Sequence, residues 1–123
     1  MMDALKAHLA SLGWKNIFVD FLPDSKDTPE CVALMLWNHT VETISDGGGI
    51  YYVQIQVRRK QAQDAYKRCK ALFLSLNSGI DEDIFELPGA GPCVLRHRRG
   101  PTILARDATT TTYYCEIALY GDI

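Results

Sequence analysis

The sequence has little of the material from which chemistry is usually built. Histidine occurs three times in 123 residues, at His8, His39 and His97, and none stands four residues from another or beside a second ligand type at metal spacing. No metal site or cofactor is therefore expected. Cysteine occurs four times, at 31, 69, 93 and 115, and no pair has zinc or redox spacing. Each has aliphatic neighbours, so all four are expected as free, buried thiols, in keeping with a reducing cytosol. No apolar run reaches the roughly 18 residues of a membrane span. The opening "MMDALKAHLASLGW" has an acid at Asp3 and an amphipathic rhythm, unlike the basic start and apolar run of a secretory signal. No membrane partner is expected. "GAGP" at 89–92 lacks the remaining glycine of a dinucleotide loop and reads as a turn. No serine sits in a nucleophile elbow, and the acids at 81–83 read as a solvated loop. Nothing in the sequence gives reason to expect an enzyme.

A large excess of either charge is also missing, since the net charge is −2. Its distribution is uneven. Residues 1–57 carry three Lys/Arg against seven Asp/Glu, and residues 58–123 carry ten against eight. Two differently charged regions in one chain suit head-to-tail contact or a polar lumen, and equally an ordinary solvated surface. The remaining composition, 47% hydrophobic and 23% charged, is that of a globular chain, and its length fits one domain spanning 1–123.

Periodicity supplies the architecture. Residues 3–12 read as a short helix with Leu5, Leu9 and Leu12 on one face and Gly13 as its stop. "NIFVDFL" reads as a strand with Ile17, Val19 and Phe21 on one side. "PDSKDTPE" is a loop. "CVALMLWN", 31–38, is apolar on both faces, as a central strand should be. In "YYVQIQVRRKQAQDAYKRCKALFLSL" the period changes from two to three or four at Arg58-Arg59-Lys60. Val53, Ile55 and Val57 point to a core, while Gln54, Gln56 and Arg58 point the other way. A helix over 61–77 then carries an apolar stripe of Ala62, Ala65, Tyr66, Cys69, Leu72, Phe73 and Leu76. "DIFELPGAGP" holds a short strand before a turn, "CVLRHRRGPTILARD" reads as two short strands around Arg99-Gly100-Pro101, and "TTTTYYCEIALY" is a final strand. The expected fold is α+β: a largely antiparallel sheet with a long helix packed on one face and a short N-terminal helix.

Two basic clusters have no chemical partner in sequence. Arg58, Arg59, Lys60, Lys67, Arg68 and Lys70 form one; Arg96, His97, Arg98 and Arg99 form the other, placed in a loop or hairpin tip. Each reads as a solvated surface, or as a contact for protein or for nucleic-acid phosphates. A net acidic chain argues against a dedicated nucleic-acid domain.

In its order and texture the chain resembles the tail terminator proteins of long-tailed bacteriophages, often labelled minor capsid proteins. The resemblance is carried by "TPECVALML", by "YYVQIQVRRKQAQDAY" entering its helix, and by "RRGPTILARD" ahead of "TTYYCEIALY". It extends over almost the whole chain. It implies a structural role without catalysis or cofactor: a homo-oligomeric ring, generally a hexamer, that ends tail tube polymerisation and joins the tail to the head or neck of the virion, after assembly in the host cytoplasm. The implied partners are a second copy of the chain, the tail tube protein, a neck or head-completion protein and, transiently, passing DNA. Gln54, Gln56, Arg58, Arg59 and Lys60 are then candidates for the lumen or a subunit interface, and Arg96, Arg98 and Arg99 for a basic loop contact. The alternatives are another phage neck or tail-completion protein, or a small nucleic-acid-binding α+β domain.

Overall fold

The computed structural model describes residues 2–41, 48–76, 84–87 and 91–122. Two helices and six strands occur among them: α1 (Met2–Ser11), β1 (Ile17–Val19), β2 (Cys31–Val41), β3 (Gly48–Arg59), α2 (Ala62–Ser75), β4 (Ile84–Leu87), β5 (Gly91–Arg106) and β6 (Thr111–Asp122). The strands form one sheet in the order β1-β2-β3-β6-β5-β4. Every neighbouring pair is antiparallel except β1 and β2, which run parallel. The expected α+β class, with its largely antiparallel sheet, is the observed one.

The period-two pattern sets which face is sealed. Leu34, Val53, Ile55, Ile117 and Leu119 are completely buried on one face. Helix α1 adds Leu5 and Leu9 to that cluster, and α2 adds Cys69, Leu72 and Leu76. Both helices therefore cover the same face. Tyr66, expected in the α2 stripe, lies at its exposed margin and meets Tyr113 edge-on, with ring centroids 5.6 Å apart. Phe73 is half-buried and stacks on His97 at 3.8 Å.

Helix α1 ends at Ser11, one residue before the expected Leu12, and Gly13 is its stop. Gly13 takes a positive φ of 99°, which lets its N–H donate to the Ala10 carbonyl and the Trp14 N–H to that of Leu9. These paired bonds satisfy carbonyls the helix would otherwise leave open, and glycine adopts such a φ without strain. Leu12 lies beyond the last turn and is exposed, not part of the buried face.

Two expectations need correction. The strand beginning at Ile17 ends at Val19, because Asp20 has a left-handed φ of 65° and its carboxylate accepts the Leu36 N–H. Phe21 therefore leaves the sheet and is exposed. The second correction concerns "CVLRHRRGPTILARD", which up to Arg106 is one continuous strand within β5, with no turn at Arg99-Gly100-Pro101. Its register against β6 slips between His97 and Arg99, between Arg99 and Thr102, and between Ile103 and Ala105. Bulges absorb the extra residues, and a proline without an N–H is tolerated at such a site.

Candidate functional site

The sheet face away from the helices holds most of the residues singled out by sequence. It is not evenly solvated. At its lower end the 20–30 segment folds back over β3, and the Arg58 guanidinium donates to the Thr28 carbonyl. Arg58 is only 5% exposed, and its Nε has no hydrogen-bond partner. Gln56 is buried as well and donates to the Gln54 side-chain oxygen at 2.7 Å; Gln54 is half-buried. Sequence alternation correctly separates these three from the core face, but Gln56 and Arg58 are covered within the chain itself.

The rest of the basic corner is divided between acids and solvent. The Arg59 Nε donates to Asp64 at 2.7 Å and lies 3.3 Å from Glu30. Arg68, one helical turn after Asp64, places its own Nε 3.5 Å from the same carboxylate. Asp64 thus anchors two guanidinium groups. The Arg59 hydrogen bond is the main reason its carboxyl is held below the usual carboxylate range, with Arg68 contributing. Lys60, Lys67 and Lys70 remain exposed. Beside the Arg pair is a cleft of about 380 Å³ bordered by Trp14, Lys15, Asn16, Glu30, Arg59 and Arg68.

The second cluster is a correction of place. Arg96, Arg98 and Arg99 lie within β5, not in a loop. His97 points to the helix side, against Phe73, and is thereby separated from them. Arg99 reaches the Tyr114 hydroxyl at 3.4 Å. Arg98 is the extra residue of the first β5 bulge. Its guanidinium lies over the Tyr52 ring at 4.5 Å from the centroid and 5.9 Å from that of Trp37. Trp37 is itself the extra residue of a bulge in β2, between Leu36 and Asn38, and its ring meets Tyr52 at 5.5 Å. Two bulges on separate strands therefore turn an indole and a guanidinium onto one tyrosine. Between Tyr52 and Arg96 in register stands the small, fully covered Ala118, which leaves room for this crossing. Trp37 remains 50% exposed, and Tyr120 is exposed nearby on the same face.

Sequence reading missed the Trp37–Tyr52–Arg98 stack. Its members are far apart in the chain, and a bulge breaks the alternation by which faces are assigned. It also missed the Arg58–Thr28 contact, for which the 20–30 segment gives no periodic signal. Among the described residues, no three His, Cys, Asp or Glu side chains gather as a metal-holding group. Cys31, Cys69, Cys93 and Cys115 are all free and buried. A hydrogen bond with Cys69, together with burial, pushes the Cys115 thiol up, away from the thiolate. The site can stack, hydrogen-bond and present charge. No protein-family model matches the chain, and no curated protein matches it significantly.

Proposed function

We propose that the chain is a structural assembly protein of the tail-terminator kind. It acts by associating with copies of itself into a ring that closes the end of a tail tube and meets a neck component. The sequence resemblance supplies the specific family. The structural observation that carries the reading is the asymmetry of the sheet: both helices seal one face, while the other exposes Trp37, Tyr120 and Arg98. Exposed aromatic and arginine side chains are those that most often carry protein–protein binding energy. A ring also needs two different patches per copy, because its interface is heterologous. The unequal charge of residues 1–57 and 58–123 provides such a difference.

A nucleic-acid module is the second reading, and the same stack favours it, since bases stack on exposed aromatics and arginines. The distribution of cations weighs against it. Among the described residues Arg58 is buried, and Arg59 and Arg68 are paired with acids, which takes these three cations out of a phosphate-tracking stripe. Duplex DNA should bind weakly, without sequence preference, and release as salt is raised.

The test is negative-stain imaging of the purified chain mixed with its cognate tail tube protein. Rings at tube ends and a halt to tube growth are expected. Tubes that lengthen unchanged in the presence of the chain refute the assignment.

A further inference from the structure

The Trp37–Tyr52–Arg98 stack lies towards one end of the open sheet face. The 20–30 segment begins beside Leu36, whose N–H donates to the Asp20 carboxylate, and runs to the other end, where Ser25 meets Asp107 and Thr28 covers Arg58. Arg58 lies six positions along β3 from Tyr52, a span of about 20 Å at the usual rise of an extended strand. The 24–28 turn of the segment is therefore too distant to fold onto the stack of its own chain. Its exposed side chains nevertheless complement that stack. Phe21 is 52% exposed and meets Phe18 edge-on, with ring centroids 5.2 Å apart. Asp24 and Asp27 are exposed beside it. Arg96 and Arg98 are exposed at the stack.

We infer that the Trp37–Tyr52–Arg98 patch of one copy receives the 24–28 turn of a second copy, with Asp24 and Asp27 facing the arginines. The inference rests on the ring-assembly reading and names its interface. The patch and the 24–28 turn lie towards opposite ends of the open sheet face, so each copy keeps one free after the other is engaged. That is the requirement for head-to-tail propagation. Opposite charge at the two surfaces steers docking and disfavours patch-to-patch pairing of like surfaces.

The experiment is sedimentation of the full chain, of Arg98→Glu, of an Asp24→Asn/Asp27→Lys double variant, and of an equimolar mixture of the two variants. Asparagine at 24 keeps an oxygen to accept the Lys26 N–H that Asp24 now accepts at 2.8 Å. Circular dichroism checks that both variants fold. The parent should self-associate, and each variant alone should associate roughly tenfold more weakly or worse. The mixture should recover, because the introduced glutamate faces the introduced lysine while the unaltered surfaces face each other. Folded variants that associate like the parent overturn the inference and leave the ring reading standing. A mixture that fails to recover also overturns it. Recovery into open chains without closed rings, seen by negative stain, supports the interface and removes the ring reading. A parent that is monomeric at the highest attainable concentration overturns both. If oligo-dT saturably quenches tryptophan fluorescence in the parent and not in Trp37→Ala, and the parent does not self-associate, the occupant is single-stranded nucleic acid and the inference fails.

Discussion

Arg58 gives the sharpest test of how the open face is built. The residue is 5% exposed, donates to the Thr28 carbonyl, and leaves its Nε without a partner. Arg58→Ala loses a charge-assisted hydrogen bond of about 1.5–3 kcal/mol. It also uncovers buried stem methylenes at about 0.8 kcal/mol each. Relief of the unpaired buried Nε returns about 1–3 kcal/mol, leaving a net loss of about 1–3 kcal/mol. Arg58→Met keeps most of the stem and removes the buried charge altogether, so it should cost less than alanine, since apolar replacement of buried charge is often nearly neutral. Arg58→Glu puts an acid in the same small space that Asp107 lines, facing a carbonyl in place of a donor. An uncompensated buried charge costs about 3–5 kcal/mol. Urea unfolding, followed by circular dichroism and tryptophan fluorescence, should rank the variants Met, Ala, Glu in rising cost. A glutamate variant within about 0.5 kcal/mol of the parent, the range of a surface substitution, refutes the reasoning. It would mean that the 20–30 segment does not cover Arg58. Charge reversal across Arg58, Arg59 and Lys60 together is accordingly a poor probe of assembly, because it unfolds what it sets out to question.

The remaining predictions concern the core, the caps and the thiols. Leu72→Ala should cost about 2–5 kcal/mol by opening a cavity beneath α2, where Leu72 is completely buried; a urea midpoint that hardly moves would contradict the packing. Gly13→Ala meets nothing within 4 Å, so its cost is purely conformational, about 1–3 kcal/mol, and a stabilised protein would show that the positive φ is wrong. The N–H groups of Thr109 and Thr110 hold Asp107 at about 2, below the usual 3.8. Its contribution is therefore fully present above 3.8 and is lost as pH falls through 2, so Asp107→Asn should show a flatter loss of stability across that window than the parent. Thiol counting in denaturant without reductant should find all four cysteines, and an intramolecular disulfide would contradict their placement.

Much of the fold is legible in the chain because its period is regular where its packing is one-sided. Val53, Ile55 and Val57 alternate because a helix covers one side of β3, and Leu5 and Leu9 repeat because α1 lies flat on the same sheet face. Legibility ends where local rules compete. "RRGP" carries a turn signal, yet pairing with β6 keeps it extended and the bulges take up the misfit. "CVALMLWN" is apolar at both parities, so nothing in it shows that the register slips at Trp37. The ion pairs of Arg59 bring together residues 30, 59 and 64, and the first of these arrives by a loop whose path no pattern specifies. Composition marks the basic clusters correctly, but only the backbone decides that Arg58 is enclosed and that Arg98 lies over an aromatic ring.

The bulges have a further consequence, for aggregation. Strand β1 pairs with only Val32–Leu34 of the eleven-residue β2, and β4 pairs with only Gly91–Val94 of the sixteen-residue β5. Both long strands therefore extend well past their outer neighbours, the arrangement that invites another chain to add itself by backbone hydrogen bonding. Each is interrupted along that stretch: β2 between Leu36 and Asn38, and β5 at three places, one of which contains Pro101. An irregular edge cannot template the flat, repeating ladder on which fibrils grow. The distortions that turn Trp37 and Arg98 onto Tyr52 thus also close the edges to strand addition.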